Sequence, residues 1–133
     1  MQRNAKDEAK RWLDQAMEDL KGIAVLVKNR HFKWACYFSH LTAEIGLKGF
    51  LYGQGEDRVI GHSVTELIRQ CSRYDESFST LGTEVSGLDG FYYPTRYPDA
   101  LPDSIPARVY NTAEAKRARE IAEKVIRKVA EKL

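Results

Sequence analysis

Phe91-Tyr92-Tyr93-Pro94-Thr95-Arg96-Tyr97-Pro98-Asp99-Ala100-Leu101-Pro102-Asp103-Ser104-Ile105-Pro106-Ala107-Arg108-Val109-Tyr110 holds all four prolines of this 133-residue chain. A proline inside a helix removes a backbone donor and clashes with the preceding turn, at a cost of about 3 kcal/mol. Prolines at every fourth position therefore forbid a helix here and favour an extended path lying against the rest of the molecule. Residues 1–93 and 107–133 contain no proline and are rich in Ala, Leu, Lys and Glu. They are free to be helical almost throughout.

Downstream, Asn111 is placed as an N-cap with Glu114 at the matching capping-box position. Ala115, Ala118, Ile121, Ala122, Val125, Val129 and Leu133 then form the inner stripe of a last helix. Lys116–Glu120, Glu120–Lys124, Glu123–Arg127 and Arg127–Glu131 have the spacing of surface pairs on its outside. Upstream, residues 75–89 read as a short helix holding Phe78, Leu81, Val85 and Leu88. Before it, Ser63 and Glu66 open a third helix whose apolar face is Val64, Leu67, Ile68 and Cys71.

Residues 32–53 are apolar almost all round, with Trp34, Phe38, Leu41, Ile45 and Tyr52 on one side and Ser39, Ala43, Gly46 and Gly49 on the other. A helix without a polar face belongs in the middle of a bundle. Its interior glycines each cost about 1 kcal/mol relative to alanine, so they imply close approach of another backbone. Residues 5–29 form an amphipathic first helix on Leu13, Met17, Leu20, Ala24 and Val27. Nothing reads as a strand. The expectation is one domain, residues 1–133, built as an all-α bundle of about five helices. Burial of roughly 68% of the extended surface supplies its core.

Composition removes several classes. A net charge of +2 does not argue for nucleic acid or an anionic membrane. No apolar run approaches the roughly 20 residues that span a bilayer. The charged start MQRNAKDEAKRW lacks the apolar core of a signal peptide. Cys36 and Cys71 form no CxxC pair, so a reduced, cytoplasmic protein is the expectation.

Candidate chemistry is sparse. His31, His40 and His62 share no metal-ligand spacing, and no nucleophile elbow or phosphate-cradling loop is present. His40 reads as a partly buried, hydrogen-bonded residue and His62 as part of a turn. Glu44 and Lys48, four apart, read first as a structural ion pair and second as an acid–base pair. The connection 91–110, some 20 residues long, is the exception. Its five aromatics, Phe91, Tyr92, Tyr93, Tyr97 and Tyr110, speak against disorder. It is either a packed crossover in which Arg96 pairs with Asp99 or caps a helix, or an exposed site. In the second reading Arg96 forks a phosphate while Tyr93 and Tyr97 stack a base.

Taken together, these motifs resemble the HEPN family, the higher-eukaryote and prokaryote nucleotide-binding domain. The resemblance rests on Trp12…Ala16-Met17-Glu18-Asp19-Leu20 and on Phe32…Ala35-Cys36-Tyr37-Phe38…Ala43-Glu44-Ile45-Gly46-Leu47-Lys48-Gly49-Phe50-Leu51. It continues in His62-Ser63-Val64-Thr65-Glu66-Leu67 and in Tyr93-Pro94-Thr95-Arg96-Tyr97-Pro98-Asp99, spanning about residues 10–130. It implies an up-and-down bundle of four main helices plus a short extra one, and a homodimer. It also implies a module that binds a nucleotide, a minimal nucleotidyltransferase partner in a toxin–antitoxin-like pair, or both, with no cofactor. Helix two, with its small-residue stripe, is a candidate packing surface, with service to the chain's own core as the equal alternative.

Ribonucleases of this family resemble metal-independent enzymes carrying an arginine and, after four to six residues, a histidine. Arg96 matches that arginine, but no histidine follows His62, and Arg58 to His62 leaves only three intervening residues. Acid–base cleavage would lack its imidazole. The leading expectation is therefore a non-catalytic module that uses Arg96, Tyr93, Tyr97 and Asp99, supported by Lys48 and Glu44. A divergent ribonuclease pairing Arg96 with a dimer-related histidine such as His62 is the second expectation. A purely structural bundle is the third.

Overall fold

The computed structural model describes residues 4–133, and among these there are helices and turns but no strand. The order is α1 (Ala5–Lys28), α2 (Phe32–Gly53), α3 (Val64–Ser72), a 3-10 turn (Glu76–Leu81), α4 (Gly82–Asp89), a second 3-10 turn (Pro98–Ala100), α5 (Pro106–Val109) and α6 (Thr112–Lys132). No described helix is long and apolar enough to cross a membrane.

Helix α2 is the central element, packed on α1, α6 and α3. Its small residues are what allow this. A Cβ on Gly49 would sit 2.5 Å from Trp12 Cβ of α1, and one on Gly46 would strike Ile126 Cδ1 of α6. The small-residue stripe of α2 thus serves the core of one chain and is not an outer packing surface. Phe50, Leu47 and Leu51 carry the buried centre, with Ile23, Phe78, Val85, Leu88 and Val125 closing around them.

The helix starts follow the sequence. Asn111 Oδ1 accepts from Glu114 N at 2.9 Å, and Glu114 returns the bond to Asn111 N. Ser63 Oγ accepts from Glu66 N at 3.1 Å. Three features depart from expectation. The helix expected over 75–89 is divided: Asp75 caps a 3-10 turn and only Gly82–Asp89 is α-helical. The proline segment is a chain of tight turns instead of an extended strap, with Pro98 and Pro106 at first helical positions, where a missing N–H costs nothing. On α6 the outer ion pairs are Arg119–Glu123, Arg117–Glu120 and Lys128–Glu131, while Lys124 reaches across to Glu84 of α4 at 3.0 Å. Three of these pairs are alternative local pairings along α6, and Lys124 alone among them exchanges its expected partner Glu120 for a tertiary one; single surface pairs are weak enough for either to happen.

Candidate functional site

Arg96 is fixed by its own turn. Buried Thr95 donates its hydroxyl to the Phe91 carbonyl, and Arg96 N–H bonds the Tyr93 carbonyl at 3.1 Å. The Arg96 Nε–H donates to the Tyr92 carbonyl at 2.8 Å. Its guanidinium carbon then lies 4.5 Å from the Tyr92 ring centroid, 4.8 Å from that of Tyr37 and 5.1 Å from that of Tyr97. Stacking holds the fork in place without neutralising it. Among the described residues no carboxylate forms an ion pair with Arg96, so its terminal nitrogens keep their donors.

The expected Arg96–Asp99 pair is not formed. Asp99 instead accepts from the Tyr93 hydroxyl, with Oδ2 at 2.7 Å and Oδ1 at 2.8 Å. This bond pushes the Tyr93 phenol above its ordinary range, because the carboxylate holds the proton on oxygen. Tyr93 also packs on Tyr97, ring centroids 4.8 Å apart.

Steps of three, four and four along α2 bring Tyr37, His40, Glu44 and Lys48 to one side of the helix. Glu44, 4% exposed, receives Lys48 Nζ at 3.1 Å and His62 Nδ1 at 3.2 Å. A carboxylate only accepts, so His62 carries its proton on Nδ1. The His62 ring, half exposed, stacks on Tyr92 with centroids 4.7 Å apart. Gly61, at φ +97°, supplies the reversal that brings His62 back to α2 just ahead of α3.

Asp89, the last residue of α4, ties this region to the fold. It accepts from Ser63 Oγ at 3.0 Å, Val64 N at 2.7 Å and Thr65 N at 3.2 Å, and so caps α3 from outside that helix. Its Oδ1 also receives Nε2 of wholly buried His40 at 3.3 Å. Burial raises the Asp89 carboxyl, but bonds from Val64, Thr65 and Ser63 outweigh it and leave the group below its ordinary range. Burial lowers the His40 imidazole, and Asp89, Glu44 and the His62 carbonyl offset it only in part.

All six residues expected from the sequence lie in this one region. Arg96 and Tyr97 touch through the guanidinium; Tyr93 and Asp99 are bonded to each other; Glu44 and Lys48 pair on α2 and reach the others through His62 and Tyr92. The sequence reads His62 first as a turn residue and second as a histidine paired with Arg96 across a dimer, and it gives no site role to Tyr37, Tyr92 or Asp89. The period along α2 is the signal that could have flagged Tyr37. Nothing local marks Asp89, whose partners all lie far away in the chain. Nor is a second copy needed to associate His62 with Arg96, since both lie against Tyr92 of the same chain. Among the described residues no group of three His, Cys, Asp or Glu side chains is arranged to hold a metal ion.

Two solved structures share this architecture. TT1696 from Thermus thermophilus matches with a TM-score of 0.89 and 34% identity, over 95% of this chain and 98% of its own. ST0689, an archaeal HEPN homologue, matches with a TM-score of 0.77 and 26% identity, over 99% of this chain and 98% of its own. No protein of curated function matches the chain. The sequence profile of the HEPN domain covers residues 9–133, nearly the whole chain, and with the fold and the TT1696 likeness it establishes the family: this chain is a member of the HEPN domain family.

Proposed function

We propose that this chain is a nucleotide-binding HEPN module that takes the phosphate of its ligand on Arg96 and acts through binding, not cleavage. One observation carries the reading: Arg96 is oriented by three tyrosine rings and the Tyr92 carbonyl, yet has no carboxylate partner among the described residues. A guanidinium fixed in this way forks phosphate with little loss of side-chain freedom. The exposed Tyr97 ring beside it offers a face for a base. The physiological setting in this proposal is a toxin–antitoxin-like pair with a minimal nucleotidyltransferase. The partly buried α2 stripe Trp34, Phe38, Leu41 and Ile45, which keeps some apolar surface at the outside, supports a homodimer. Calorimetric titration of ATP into the wild type and Arg96→Ala tests the binding role. Heat from the wild type that is lost in the variant is expected; no heat from either removes the proposal.

A second reading has one observation in its favour. His62, its Nδ1–H held by Glu44 and its ring on Tyr92, presents an oriented imidazole near the guanidinium, the pair that acid–base cleavage of RNA requires. Incubation with a total RNA pool separates the two readings. Cleavage that disappears in both His62→Ala and Arg96→Ala would establish the ribonuclease, and intact RNA leaves the binding module.

A further inference from the structure

Asp99 stands three residues after Arg96, and an exposed carboxylate so placed is the natural intramolecular competitor for any anion that Arg96 binds. Both of its oxygens are instead engaged by the Tyr93 hydroxyl, at 2.7 and 2.8 Å. We infer that Tyr93 is a clip that holds the Asp99 carboxylate off Arg96 and so keeps the guanidinium open to phosphate.

Three contacts carry this. The Tyr93 ring is fixed by Tyr97, centroids 4.8 Å apart and planes 31° from parallel. Tyr97 in turn lies under the Arg96 guanidinium at 5.1 Å, so the clip and the group it protects share one support. The bend that presents Asp99 to Tyr93 is the 3-10 turn Pro98–Ala100, closed by Leu101 N–H on the Pro98 carbonyl at 3.0 Å. Proline at its first position presets the backbone. Tyr93 and Asp99 are thereby positioning residues: they act on the ligand only through Arg96. A carboxylate released beside a guanidinium would compete at the high local concentration of a tethered group.

The inference rests on the proposed nucleotide binding for its ligand, and its test separates the two. ATP is titrated calorimetrically into the wild type, Tyr93→Phe, Asp99→Asn and the double variant. Phenylalanine keeps the ring contact with Tyr97 and removes only the hydroxyl. Tyr93→Phe is expected to bind about fivefold more weakly, the upper end for an exposed ion pair that a ligand must break. Asp99→Asn is expected to bind at least as tightly as wild type, and the double variant to recover the Asp99→Asn affinity. Wild-type affinity in Tyr93→Phe overturns the clip. So does a double variant as weak as Tyr93→Phe, because the hydroxyl would then touch the ligand directly. Should the wild type take up no ATP, the proposed function falls while the clip remains testable. The ligand-free nitrogen resonances of the Arg96 side chain should shift in Tyr93→Phe and return in the double variant; unchanged resonances overturn it.

Discussion

His62 stacks on Tyr92 with ring planes 18° from parallel, and the guanidinium of Arg96 lies 4.5 Å from the centroid of the same ring. One tyrosine therefore joins two groups that are far apart in the chain. Tyr92→Ala should remove support from both, and Tyr92→Phe should retain it. Cation–π support of this kind amounts to about 0.5–2 kcal/mol. ATP affinity should fall about fivefold in Tyr92→Ala and hold within about twofold in Tyr92→Phe. Equal losses in both would show that the hydroxyl, not the ring, matters.

Asp89 has the most widely connected side chain in this region, reaching Ser63, Val64, Thr65 and His40. Asp89→Ala leaves the first N–H groups of α3 and a buried imidazole without their acceptor. A lost cap and an unpaired buried polar group together cost about 2–3 kcal/mol. Thermal unfolding should move down by about 6–10 °C. A shift below about two degrees would mean that water replaces Asp89 without loss.

Acid should weaken the fold in two steps. His40 is held below its ordinary value by burial, so as pH falls through about 6.5 the unfolded chain takes up this proton before the fold does. Below that pH the unfolded state binds more protons and stability declines. Asp89 is also held low, and its stabilisation, present above the ordinary carboxyl value, is lost as pH falls through its folded value. Urea midpoints should therefore drop between about pH 7 and pH 5, with a further loss below about pH 4. His40→Gln should flatten the first step relative to wild type. An unchanged slope would assign that step to another group.

Gly49→Ala and Gly22→Ala should have opposite signs. The new Cβ at Gly49 would meet Trp12 Cβ at 2.5 Å, an atom close to the α1 backbone that cannot swing aside, at a cost of about 1–3 kcal/mol. At Gly22, mid-helix in α1, nothing lies within 4 Å, so alanine should add up to about 1 kcal/mol through helix propensity. Denaturant midpoints of both variants check this pair, and destabilisation at Gly22 would show that its surface has a partner.

Local chemistry alone determined much of this protein. Caps, apolar periods and the confinement of proline to 94–106 place α1, α2, α3 and α6, because these signals act within a turn or two of the chain. The family motifs and Arg96 were legible for the same reason. The split of 75–89 into a 3-10 turn and α4 was not, since Gly82 and Gly87 leave its local preference weak. The partner of Lys124 was also decided from outside α6, since it turns to Glu84 once α4 packs beside it. The site shows the division most clearly. Arg96 and Asp99 are near neighbours in sequence, yet Asp99 bonds Tyr93 and leaves the arginine to its tyrosines. The sequence could place His62 near Arg96 only through a second copy, until α2 supplies Glu44 and the segment after α4 supplies Tyr92 within one chain. Spacing fixes which groups can meet along one element; only packing several elements together decides which of the competing hydrogen bonds and ring contacts are made.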